Sequence, residues 1–139
     1  MNSENLYSNN SANISYLPEI STIYLEFIGK IENDDYKASY NKLLEFILAK
    51  DASAIITDQT KSKGGSMEAR AWLVVNWLPE VKKELGDKKI LVAGISEAKF
   101  GFKKFISQYI EQTVKKMTPF PIEVFENLQD AINWIQKNS

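Results

Sequence analysis

Ala54-Ile55-Ile56-Thr57-Asp58-Gln59-Thr60-Lys61-Ser62-Lys63-Gly64-Gly65-Ser66 is the stretch whose reading decides the fold. Ala54 to Thr57 is a short apolar run that fits a buried strand. A polar, glycine-containing loop follows from Asp58 to Gly65. Ser66 to about Leu85 reads as a helix, ended by Gly86. Lys89-Ile90-Leu91-Val92-Ala93-Gly94 then supplies another buried strand. Strand, loop, helix and strand in that order make a β-α-β unit, which implies parallel pairing through a right-handed crossover.

Upstream of this unit lie the opening strands. In Thr22 to Ile28, Ile23, Leu25 and Phe27 alternate with Tyr24, Glu26 and Ile28, the period of a pleated strand, and Gly29 closes it. Asn13 to Leu17 is a second strand, turned into the first by Pro18 to Ser21. Ser8-Asn9-Asn10-Ser11 is turn chemistry, because Asn tolerates left-handed dihedrals. Leu6 to Ser8 could add a short edge strand within the polar segment 1–11. Asn33 is placed as a helix N-cap with Asp34 and Asp35 in the first turn. Tyr36, Tyr40, Leu43, Leu44 and Ile47 recur at helical spacing to about Lys50.

Downstream, Ser96 can cap a third helix with Phe102, Phe105, Ile106, Tyr109, Ile110 and Thr113 on one face. Thr118-Pro119-Phe120-Pro121 breaks it, Ile122 to Phe125 is a last strand, and Asn127 caps a final helix with Asp130 as capping-box partner. The predicted order is β-β-β-α-β-α-β-α-β-α. It describes an α/β fold: a mixed sheet, opening as an antiparallel hairpin or meander, flanked by about four helices, with residues 12–139 as one domain.

Composition narrows the function classes. With 139 residues, 44% hydrophobic and 25% charged, the chain is an ordinary globular sequence rather than a disordered one. Its 17 basic and 18 acidic residues give a net charge of -1, which argues against a general nucleic-acid binder. There are no cysteines and no histidines, so disulfides, thiolate nucleophiles, histidine bases and the usual zinc ligands are excluded. No metal motif and no cofactor motif appears. The Asn/Ser-rich start lacks the basic and apolar regions of a signal peptide, and no apolar run approaches a membrane span. Cytoplasm is the default expectation.

The sharpest chemical feature is the loop Lys61 to Ser66. It is expected at the carboxyl end of a parallel strand, where α/β sheets usually bind ligands. Gly64 and Gly65 let backbone approach a ligand, the following helix offers unpaired N–H groups, and Lys61 and Lys63 add positive charge. The bland alternative is a solvated loop with Ser66 or Gly65 as helix cap. The second helix is unusually apolar: Trp72, Leu73, Val75, Trp77, Leu78, Val81 and Leu85 cannot share one narrow stripe. A homodimer contact or an apolar ligand groove would cover the surplus; a wide core-facing side would also explain it. Trp72 and Trp77, five apart, point to different faces. Lys99-Phe100-Gly101-Phe102-Lys103-Lys104-Phe105 mixes basic and aromatic residues, as a nucleic-acid platform or membrane surface would, although a core face beside a solvated face accounts for it. Glu26 and Asp58 are the one carboxylate pair of interest, because both are expected near sheet ends; a paired-carboxylate hydrolase needs them about 5–10 Å apart.

The chain resembles the SpoIIAA-like (STAS/SEC14-type) domain family. The likeness is carried by Tyr24-Leu25-Glu26-Phe27-Ile28-Gly29, by the strand ending in Asp58, by Trp77-Leu78-Pro79, and by Phe125-Glu126-Asn127-Leu128-Gln129-Asp130-Ala131-Ile132-Asn133-Trp134-Ile135. The resemblance implies a regulatory module, as in antagonists of anti-sigma factors, which are phosphorylated on a Ser or Thr where the helix after the Asp-ended strand begins. The family's Asp-Ser-Ser-Gly pattern is absent; Ser66 is the closest positional match and Ser62 the second.

The resulting expectation is a non-enzymatic regulatory or protein-interaction module that forms a homodimer through the second helix. Asp58, Lys61, Lys63, Gly64, Gly65, Ser66, Trp72 and Trp77 are its candidate docking residues. The alternative is a carrier of a small amphipathic or anionic ligand. An enzyme is the third class, because no nucleophile–base pair can be named.

Overall fold

The computed structural model of the chain describes residues 1–96 and 120–139. The helix expected after Ser96, the Lys99–Phe105 segment and Thr118-Pro119 fall outside the described residues. Strands β1 (Glu4–Ser8), β2 (Ala12–Leu17), β3 (Thr22–Gly29), β4 (Ala54–Ser62), β5 (Leu91–Ile95) and β6 (Ile122–Phe125) form one sheet in the order β1-β2-β3-β4-β5-β6. β1, β2 and β3 pair antiparallel; β3 to β6 pair parallel. This is the mixed sheet the sequence predicts, with an opening meander and then crossovers.

Helix α1 (Asn33–Lys50) joins β3 to β4. The β4–β5 connection is a longer helical segment made of α2 (Met67–Trp72), a π-helical turn (Leu73–Trp77) and α3 (Leu78–Leu85). Helix α4 (Leu128–Asn138) closes the chain. The α1 and α2–α3 segments pack on one face, where Ile14, Ile23, Leu25, Phe27, Leu43 and Ile47 join one core. On the other face α4 sets Ala131, Ile132 and Ile135 against Ala54, Ile56, Ala93 and Ile95. The period of two in β3 thus divides the sheet: Ile23, Leu25 and Phe27 go to the first core, and Tyr24 borders the second. Each fully buried side chain such as Leu25 contributes about 1.5–3 kcal/mol.

Several boundaries differ from the sequence reading for physical reasons. β1 begins at Glu4 rather than Leu6, because it pairs with β2 along its length. Left-handed dihedrals fall on Ser21 and Asp51 rather than on Asn9 or Asn10. Asn33 is not the cap of α1. Glu32 occupies that position without a side-chain bond, and the buried Ser11 hydroxyl accepts the Glu32 N–H at 3.4 Å while donating to Asp35 Oδ2 at 2.8 Å. A residue from the β1–β2 turn therefore does what a local cap would do. β5 runs from Leu91 to Ile95 rather than from Lys89 to Gly94.

The largest difference is in β4. The strand does not stop at Thr57 but continues to Ser62, through an irregularity where Gln59 and Thr60 stand against the single residue Phe27. Two residues against one is a β-bulge. Asp58 holds it: its Oδ1 accepts from the Thr60 N–H at 2.9 Å and the Thr60 hydroxyl at 2.7 Å. Asp58, Lys61 and Ser62 are therefore strand residues, and the expected loop shrinks to 63–66.

Candidate functional site

The short loop leaves the carboxyl end of β4 and enters α2 directly. Lys63 N–H donates to Gly29 O at 3.0 Å, so the end of β3 holds the loop's start. Gly64 has φ +83°, a conformation costly to any side chain. Gly65 is required by proximity: a Cβ there would lie 2.8 Å from Cε2 of Tyr36. Ser66 is the helix cap, its Oγ accepting from Ala69 N–H at 3.0 Å. The same hydroxyl donates to Asn33 Oδ1 at 2.7 Å, and Asn33 Nδ2 donates to Glu68 Oε2 at 3.1 Å. Asn33 thus ties the starts of α1 and α2 together. Ser62 Oγ is used within the loop, donating to Gln59 O and accepting from Gly64 N–H.

Lys61 is drawn away from the loop. The bulge turns it onto the α4 side of the sheet, where its ammonium lies 3.4 Å from Glu26 Oε2. Glu26 and Asp58 are direct cross-strand partners. Between them stands Tyr24, whose hydroxyl lies 2.5 Å from Asp58 Oδ2 and 3.3 Å from Glu26 Oε2. Burial, then the hydrogen bond and charge of Asp58, then Glu26, push the Tyr24 hydroxyl far above the ordinary phenol range. Asp58 is 6% exposed, with both oxygens bonded. Tyr24 and Thr60 engage both oxygens of Asp58, while Glu26 meets Tyr24 and Lys61 through Oε2. Tyr24 carried no signal when read alone. Its spacing of two from Glu26 puts both on one face of β3, and the β3–β4 register adds Asp58.

The two tryptophans part ways. Trp77 is 5% exposed, its indole Nε1–H donating to Tyr40 O at 2.6 Å and its ring edge-on to Tyr40 at 5.0 Å. Expected from the sequence as a docking residue, Trp77 is instead core, at the end of an aromatic row through Tyr40, Tyr36 and Phe27. Trp72 is half-buried at the rim, with the Lys37 ammonium 6.0 Å over its ring. The π turn accounts for the split. Leu78 N–H bonds back to Leu73 O, five residues away, which widens the turn. With that turn in place Ala69, Trp77, Val81 and Leu85 all reach the core at multiples of four, a spacing that a straight helix of 3.6 residues per turn would let drift off the sheet. Met67, Ala71, Val75 and Pro79, offset by two, all face outward and exposed. The helix is apolar on both sides.

Two further features bear on ligands. A cleft of about 320 Å³ lined by Ser53, Lys89, Leu91, Pro121, Trp134, Asn138 and Ser139 lies at the amino ends of β4 to β6, at the opposite end of the sheet from the loop. Among the described residues no three His, Cys, Asp or Glu side chains converge as a metal set, and no helix is long and apolar enough to cross a membrane.

Known proteins place the chain. Its fold is similar to that of an uncharacterized protein of the DUF3478 family with a SpoIIAA-like fold from Shewanella loihica PV-4, at 21% identity and TM-score 0.54, covering 96% of this chain and 92% of that one. It is also similar to the anti-sigma factor antagonist SpoIIAA in its unphosphorylated form, at 10% identity and TM-score 0.55, covering 97% of this chain and 98% of that one. No curated protein matches. The sequence profile of the SpoIIAA-like family matches residues 22–136, from the first residue of β3 into the last helix, and the chain belongs to that family.

Proposed function

We propose that the chain is a non-enzymatic regulatory or protein-interaction module whose partner docks on the 63–66 loop and the outward side of the second helical segment, with Trp72 at the rim. The observation that carries this reading is the exposure of Met67 at 85% and Val75 at 68% on a helix whose other side already fills the core. An apolar surface beyond what the fold consumes is a docking surface. The engagement of both Asp58 oxygens by Tyr24 and Thr60 supports the non-enzymatic part. Homodimerisation through the second helix belongs to the same reading.

The similar fold of an anti-sigma factor antagonist known in an unphosphorylated form supports the regulatory class. Ser66 is the hydroxyl we assign to phosphorylation, ahead of Ser62, because it is exposed at a helix start while Ser62 is half-buried at the end of β4. A phosphate on Ser66 would break its bond to Asn33 and set new charge beside Glu68. Carriage of a small amphipathic ligand has less support at the loop, since the described cleft lies at the other end of the sheet.

The test is a photocrosslinking residue placed at Met67 and, as control, at Gln129 on α4, in the cell. A discrete foreign protein captured from Met67 and not from Gln129 is the expected result. Equal capture from both, or no crosslink from Met67 to any protein chain, overturns the reading; a crosslink to a second copy alone assigns the surface to self-pairing. Tandem mass spectrometry of peptides from the same material, compared with Ser66→Ala, decides Ser66 separately.

A further inference from the structure

The outward strip of the second helical segment is continuous: Met67, Ala71, Val75 and Pro79, spaced by four, all exposed. Ala71, Val75 and Pro79 are short side chains, which lets a second helix approach to about 8–10 Å between axes. The charges at its ends are of opposite sign. Glu68 stands beside Met67 at one end, and Lys83 lies past Pro79 at the other. Neither makes an ion pair among the described residues. Arg70, on the flank, is held back by its own loop, its Nε–H donating to Gly65 O at 2.9 Å.

We infer that this strip pairs with the same strip of a second copy, antiparallel, about a two-fold axis through Val75. The inference rests on the second-helix docking surface proposed above and names its occupant. The axis sets Val75 on Val75, Ala71 on Pro79 and Met67 along the Lys83 stem, whose ammonium then reaches Glu68. Glu68 has capacity left, because Asn33 occupies Oε2 alone. A strip with one acid and one base equidistant in kind from its centre complements itself, whereas a partner of single charge would leave one end unpaired. A single helix pair buries less than the roughly 800 Å² per partner of a standard interface, so the dimer is weak and concentration-dependent.

The absence of native cysteine makes the test clean. Val75→Cys introduces a lone thiol on an exposed residue at the axis, and mild oxidation should convert it to a covalent dimer; in sedimentation the native chain should self-associate and Val75→Arg should not. Mixing Met67→Cys with Lys83→Cys should give the mixed disulfide faster than Met67→Cys gives its own. Faster self-linking at Met67 overturns the antiparallel arrangement. A dimer in solution that leaves Val75→Cys reduced overturns this strip as its seat. A chain monomeric at high-micromolar concentration, in which Val75→Arg abolishes the foreign crosslink from Met67, assigns the strip to that other protein; it overturns this inference and leaves the docking reading standing.

Discussion

The Tyr24 hydroxyl stands 2.5 Å from Asp58 Oδ2 across the seam between β3 and β4, and the other oxygen of that carboxylate holds the β4 bulge. Tyr24 therefore acts on the loop at one remove. Tyr24→Phe leaves a buried oxygen short of a donor, and the expected loss is about 1–3 kcal/mol in urea unfolding. In a double-mutant cycle with Asp58→Asn the two losses should fall well short of additive; strict additivity would mean the bond contributes nothing.

The same hydroxyl predicts an alkaline limit. Its folded-state pKa is raised, by burial first and by Asp58 second. The unfolded chain then releases the proton near pH 10 while the folded chain keeps it, so the unfolded state binds fewer protons and stability falls as pH rises past about 10. Below that the contribution is complete. Tyr24→Phe should flatten the slope of melting temperature against pH above 10, and Tyr40, whose hydroxyl burial also raises, contributes to what remains.

Gly65 and Gly64 should fail for different reasons. Gly65→Ala drives a Cβ to within 2.8 Å of the Tyr36 ring and is expected to cost about 1–3 kcal/mol by overpacking. Gly64→Ala meets no atom closer than 3.9 Å but must hold φ +83°, at about 1–2 kcal/mol. Adding Tyr36→Leu should rescue the Gly65 variant and leave the Gly64 variant unchanged, as read by thermal unfolding.

Trp77→Phe removes the donor to Tyr40 O and much of a buried ring, so a loss of about 2–4 kcal/mol is expected. Trp72→Phe at the rim should cost under about 1 kcal/mol. Iodide quenching should separate the two in the opposite sense, with the signal lost in Trp72→Phe being the accessible one.

The sheet was legible because its signals are local. Alternation in Ile23, Leu25 and Phe27, and the short runs at Ala54–Thr57 and Lys89–Gly94, each mark a strand without reference to neighbours. What the sequence hid depends on pairing. Asp58-Gln59-Thr60-Lys61-Ser62 reads as loop because its polarity is that of a loop; only the ladder to Glu26, Ile28 and Gly29 makes it strand. The diversion of Lys61 from loop to Glu26 follows from the bulge and has no one-dimensional trace. Asn33 has the chemistry of a cap and uses it on the neighbouring helix. The surplus of apolar residues from Trp72 to Leu85 was visible, but which side each takes was not, because a fixed 100° step gives the wrong phase after Leu73.

That phase is a matter of one residue. The hydrogen bond from Leu78 to Leu73 spans five positions where an α-helix spans four. Excising a residue such as Val74 would restore a regular helix and swing everything beyond it by about 100°. Val81 and Leu85 would leave the sheet, and the solvent-facing row would be cut in two. The chain can therefore gain or lose its second hydrophobic side by a three-nucleotide insertion or deletion, with no change of side-chain chemistry anywhere.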